Sequence, residues 1–195
     1  MLDLGINPIA MNRFFFFALS VLLLLSRTGR AQPNASSDQV NAYARQEFEA
    51  GVTRFNEKKI DEAITLFTDA IDSATQFTVA YNFRGIAHCE AGHFYDAIED
   101  FNAAIAKRPD YALAYNNRGY VLLLIGGLEK AALADFTKAI ELKPDFAKAY
   151  YNRGIALELL RRDDSACRDW QKARELQMAV PDDFFKTCKD DSYEK

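Results

Sequence analysis

The side chains best suited to hold a metal ion are His88, Cys89 and His93, which include both histidines and one of the three cysteines of the 195-residue chain. The two histidines lie five positions apart with a turn at Gly92 between them, and that spacing matches no familiar zinc-ligand pattern. They read as structural or exposed histidines, and Cys89 as a small core residue. No Gly-rich phosphate loop and no nucleophile motif occurs in the chain. Acid pairs such as Glu99-Asp100 read as helix surface. No catalytic residue, cofactor or metal ligand is therefore expected, and the sequence points away from an enzyme. Cys167 and Cys188 offer a different chemistry. A bridge between them would close a loop of about 20 residues, worth roughly 3 kcal/mol in the chain-entropy model. The alternative is two free, buried thiols.

A second pattern is electrostatic. Arg84, Arg118 and Arg153 each precede a glycine, and Asp100, Asp135 and Asp169 each precede a large aromatic, at separations of 16, 17 and 16 residues. An earlier, weaker copy holds Ala50 and Leu66 at the same two places, so charge occurs at both or at neither. The expectation is three structural ion pairs, each arginine meeting its aspartate across one helical hairpin in the bidentate geometry that suits a guanidinium.

These residues sit on a repeat. The segment 114–144 matches 80–109 when moved back 34 positions and recurs 35 positions onward, and a weaker copy precedes them. Glycines step through 51, 85, 119 and 154, and large aromatics through 67, 101, 136 and 170. A period of this length marks a stacked array. Apolar spacing predicts a helix from Asp38, as its cap, to about 57, and a second opening at Asp61-Glu62. First helices of the next pairs are expected at about 78–91, 112–125 and 146–160, and second helices at about 94–107, 128–142 and 163–177. Glycine in mid-helix costs roughly 1 kcal/mol relative to alanine, so its repetition implies close packing, with Ala63, Ala97, Ala132 and Ala166 as small partners. Pro109 and Pro144 separate one pair from the next. Residues 181–190 read as a short helix, over Asp182 to Lys189, capping the apolar end of the stack, and 191–195 as a loose tail.

The amino-terminal residues differ. Asn12-Arg13 precedes the apolar stretch Phe14 to Leu25, and Gly29-Arg30-Ala31 follows, the layout of a secretory signal peptide over 1–31 cut after Ala31. Met11 stands where such a signal normally begins, so either Met1 or Met11 can be the start. Residues 32–38 read as a linker. An uncleaved anchor is the alternative, although twelve helical residues reach only roughly 18 Å. Removing 1–31 takes away Asp3 and three arginines, so 24 basic and 28 acidic residues become 21 and 27, a net charge of −6. An acidic domain without a basic patch is a poor partner for nucleic acid. Export, to a periplasm or the outside, would put the cysteines in an oxidising compartment.

Tyr-x-x-x-Gly, then Ala-Ile, Phe, Ala-Ile and Pro on a 34-residue frame resembles the tetratricopeptide repeat, over roughly 44–180. The resemblance implies an all-α fold: a right-handed superhelical solenoid of about four helix pairs (44–77, 78–111, 112–146 and 147–180) plus the cap. The first copy lacks the tyrosine, the Asn-Arg and the proline, as an end repeat can, and the third carries one extra residue. In this family the first helices line a concave groove that binds a peptide or helix of another protein. The family's contact positions hold Asn82, Asn116, Asn117, Tyr120, Lys148, Tyr151, Asn152, Ile155 and Glu158 here. Of the lysine, arginine and asparagine clamp that chaperone-binding members use for a terminal carboxylate, only the asparagines and Lys148 have counterparts. The implied function is a non-enzymatic adaptor or scaffold of the periplasm or cell envelope. The alternatives are a structural subunit of an envelope assembly, held to a membrane by an uncut anchor, and a small-molecule binder, which would need a pocket. Partner identity and oligomeric state stay open.

Overall fold

The computed structural model describes residues 37–186 and residue 188. The signal peptide, the choice of Met1 or Met11, and the 191–195 tail lie outside the described residues. Eight α-helices follow one another: α1 (Ser37–Asn56), α2 (Ile60–Ser73), α3 (Thr78–Glu90), α4 (Phe94–Lys107), α5 (Ala112–Ile125), α6 (Glu129–Leu142), α7 (Ala147–Leu159) and α8 (Asp163–Glu175). A 3-10 turn, Asp182–Phe185, closes the described chain. No strand occurs among the described residues, and no helix there is long and apolar enough to cross a membrane. Asp38 lies in the first turn of α1 as described from Ser37.

Each hairpin is built around one close approach. Phe67, Phe101, Phe136 and Trp170 are almost wholly buried, and each lies over a glycine of the partner helix. A Cβ on Gly51, Gly85 or Gly119 would come within 2.6 to 2.8 Å of the facing phenylalanine ring, and one on Gly154 would strike the indole of Trp170. Ala63, Ala97, Ala132 and Ala166 have no exposure and let the same helices approach. The layers are joined by one recurring turn. Phe77 donates its N–H to Ala74 O at 2.8 Å, Tyr111 to Arg108 O at 3.1 Å and Phe146 to Lys143 O at 3.1 Å. Pro109 and Pro144 occupy the second position of two of these turns, where the ring presets φ. Inside each hairpin the reversal needs a left-handed residue. Lys58 (φ 63°), Gly92 (φ 79°), Gly126 (φ 80°) and Arg161 (φ 59°) supply it in turn.

Packing runs in sequence order: each helix touches the next, from α1 to α8. The first helices also touch across layers, α1 with α3, α3 with α5 and α5 with α7, whereas successive second helices do not. Layers that are closer on one side than the other make a curved stack, so the first helices form its inner face.

At the carboxyl end, Phe184 meets Trp170 edge-on at 4.8 Å between centroids, and Phe185 meets it at 6.4 Å. A disulfide joins Cys167 of α8 to Cys188. Within the 182–189 helix suggested by the sequence, Asp182–Phe185 form a 3-10 turn instead, and residues 187 and 189 lie outside the described residues. Gln177 takes a left-handed φ of 66° just after α8, and Pro181 is extended at the entry to the 3-10 turn.

Replacing Gly119 by alanine improves helix propensity by roughly 1 kcal/mol but drives a methyl group into a ring that cannot retreat. Urea denaturation is expected to show a net loss of about 1–3 kcal/mol, the cost of overpacking. Reducing the disulfide is expected to remove about 3 kcal/mol, read as a lower urea midpoint with reductant than without.

Candidate partner-binding groove

The inner face is built from α1, α3, α5 and α7. Along α5, Leu113, Tyr120 and Leu124 are spaced seven and four apart and so share one helical stripe, at 46%, 44% and 45% exposure. Leu159, at the end of α7, is 55% exposed. Large apolar side chains left in water along one stripe of a packed helix are the informative kind of exposure. Lys148 is exposed beside them, and Ile155 and Glu158 are half-buried.

The asparagines behave otherwise. Asn82, Asn116 and Asn152 are only 3%, 1% and 3% exposed. Asn152 Nδ2 donates to Asn116 Oδ1 at 3.0 Å, Asn116 Nδ2 to Asn117 Oδ1 at 3.2 Å, and Asn117 Nδ2 to Asn82 Oδ1 at 3.1 Å. This ladder ties three layers together beneath the inner face. Asn82, Asn116 and Asn152 are therefore corrected from partner contacts to internal links. A buried amide has to find a partner within the protein: Asn152 finds Asn116, and both Asn116 and Asn82 find Asn117. Asn117 is half-buried in the same ladder. Tyr151 is half-buried too: its ring lies 5.5 Å from that of Phe184, and its carbonyl accepts Trp170 Nε1–H at 3.3 Å. Of the nine contact positions that the resemblance implies, Tyr120 and Lys148 are exposed. The sequence reading passed over Leu113, Leu124 and Leu159. Their signal was present as apolar residues outside the glycine, alanine and aromatic frame.

The charged residues frame this face from behind. Arg84 donates to both oxygens of Asp100 at 2.9 and 2.6 Å, Arg118 to Asp135 at 2.8 and 2.6 Å, and Arg153 to Asp169 at 2.7 and 2.8 Å. The third guanidinium nitrogen reaches the preceding layer: Arg84 to Thr68 Oγ1 at 3.1 Å, Arg118 to Asn102 Oδ1 at 2.6 Å, and Arg153 to Thr137 Oγ1 at 3.5 Å. Each guanidinium also stands 5.5 to 5.7 Å from the ring of a tyrosine three residues earlier, Tyr81, Tyr115 or Tyr150. Hydrogen bonding to the aspartate outweighs burial at Arg118 and Arg153 and raises both guanidinium pKa values above the ordinary arginine range.

Two open depressions of about 290 and 390 Å³ lie between layers and are lined by the ion-pair residues Arg153 and Asp169 or Arg118 and Asp135. His88 is half-buried in the last turn of α3, and His93 is exposed just before α4. Cys89 is a half-buried free thiol whose pKa is raised by burial.

Asn152→Ala should strand the Asn116 carbonyl and cost about 1–3 kcal/mol, whereas Tyr120→Ala should leave the melting temperature nearly unchanged. Asp135→Ala should cost more, toward the low end of the roughly 3–5 kcal/mol of a broken buried pair, because Arg118 keeps 24% of its side chain exposed. Thermal denaturation of the three variants checks that order.

Residues 84–145 and 136–175 each match a family model described as tetratricopeptide repeat. Over 82 residues the chain is 35% identical to heat shock protein STI1 of Saccharomyces cerevisiae, which is 42% of this chain and 14% of that protein. The chain thus spans about a seventh of the length of this curated relative. Among solved structures, that of MamA is 28% identical with a TM-score of 0.63, covering 69% of this chain and 78% of that one. The first such repeat domain of Spaghetti (RPAP3), solved bound to the HSP90 peptide SRMEEVD, is 26% identical with a TM-score of 0.60, covering 62% and 95%.

Proposed function

The chain belongs to the tetratricopeptide-repeat family, and from that premise we propose that it is an exported adaptor that takes a peptide or helix of a partner protein against its inner face. It acts by binding rather than by catalysis. The observation that carries this reading is the exposed stripe of Leu113, Tyr120 and Leu124, continued by Leu159. Such a stripe suits a ligand with apolar anchors, read at helical or alternating spacing. A ligand held by its terminal carboxylate fits less well. Asn82, Asn116 and Asn152 are spent on the internal ladder, which leaves Lys148 as the exposed clamp-like residue. The Cys167–Cys188 bridge supports a periplasmic or secreted location, since disulfides persist in oxidising compartments.

Selection of a random peptide library on the purified chain is expected to enrich sequences with two or more large apolar residues. Leu124→Asp combined with Tyr120→Ala should weaken a selected peptide at least tenfold, about 1.4 kcal/mol. Tyr95→Ala on α4, 76% exposed and outside the stripe, should leave it unchanged. Equal effects at both places, or none at either, would remove the groove from consideration.

A further inference from the structure

Both histidines of the chain stand at one turn. His88 is in the last turn of α3, His93 immediately precedes α4, and Asp96 lies in the first turn of α4. One ring nitrogen of each histidine and one carboxylate oxygen of Asp96 lie within 4.8 Å of one another. The turn that gathers them is fixed by the backbone: His93 donates its N–H to His88 O at 2.8 Å, and Gly92 supplies the reversal at φ 79°.

A second observation concerns His88 itself. Its Nδ1 is buried and has no hydrogen-bond partner among the described residues. Its Nε2 stands 3.9 Å from Asp100 Oδ2, beyond hydrogen-bond distance, and that carboxylate is already held by Arg84. A buried ring nitrogen left without a partner is costly. The imidazole therefore has a lone pair to give.

The other copies do not repeat this donor set. The equivalent places hold Arg54, Lys59 and Glu62 in the first copy, Leu122, Leu128 and Ala131 in the third, and Leu157, Arg162 and Ser165 in the fourth. The stacking frame does not require His88, His93 or Asp96. In the first copy the same place carries a cross-turn link of another kind, an ion pair between Arg54 and Glu62 at 3.1 Å.

We infer that His88, His93 and Asp96 form a three-ligand site for a divalent cation of the zinc class, pinning α3 to α4. Two imidazoles and a carboxylate suit Zn²⁺ and its first-row neighbours, whereas Mg²⁺ and Ca²⁺ take oxygen shells. Bonds of about 2.0–2.2 Å set tetrahedral ligands about 3.4 Å apart, so the three groups must draw together by about an ångström. His93 and Asp96 are exposed and free to turn. The fourth position stays open to water or to a donor from another protein.

The test is calorimetric titration of ZnCl₂ into the untagged, chelator-stripped full chain at near-neutral pH, with MgCl₂ as control. One Zn²⁺ per chain is expected, with no heat from Mg²⁺. Affinity should fall at least tenfold in His93→Ala and measurably in Asp96→Asn, both with unchanged melting curves in the absence of metal. Co²⁺ should give visible d–d bands with the native chain that vanish in His93→Ala. No Zn²⁺ binding to the native chain, or an affinity unchanged in His93→Ala, would overturn the assignment.

Discussion

An aromatic ring resting on bare helical backbone sets the geometry of this molecule. Phe67 on Gly51, Phe101 on Gly85, Phe136 on Gly119 and Trp170 on Gly154 fix how closely the two helices of each hairpin can lie. That separation lets an arginine one residue before the glycine reach an aspartate one residue before the aromatic. Were the helices held further apart by a side chain at the glycine, the bidentate pair would open and the arginine would lose its hold on the layer before.

The arginines translate hairpin geometry into stack geometry. Each guanidinium fills its fork with its own aspartate and sends its remaining nitrogen to the residue that follows the previous layer's aromatic, Thr68, Asn102 or Thr137. A lysine could not do both, because it offers one compact charge rather than a planar fork. The asparagine ladder makes the corresponding links nearer the inner face, where successive first helices touch. Polar bonds thus join the layers at two depths and leave the apolar stripe of α5 without an internal role.

Much of this is legible in the residues because the repeats act as internal controls. Gly and aromatic recur together, and Arg and Asp are both present or both missing, so their partnership can be read without coordinates. The asparagines resist that reading. An amide suited to gripping a peptide backbone is equally suited to gripping another amide one layer away. Only the offset between layers shows that Asn82, Asn116 and Asn152 turn inward. Asp96 is hidden for a similar reason: an acid in the first turn of a helix already has an explanation in the helix dipole, and sequence alone does not show its proximity to two histidines across a turn. The Tyr-x-x-Arg spacing in three copies was visible, but its meaning needed the ring placed beside the guanidinium.

The two ends of the stack are fastened unequally. The first hairpin lacks the Arg–Asp pair, with Ala50 and Leu66 in its place, and its helices are joined by apolar contact and the exposed link of Arg54 to Glu62. The last hairpin carries a full ion pair, two phenylalanines over its tryptophan and a covalent bond to the chain beyond it. A tension applied along the array therefore meets a soft end and a hard one. Opening is easiest at the amino side, whereas at the carboxyl side the covalent clasp keeps the closing segment against α8.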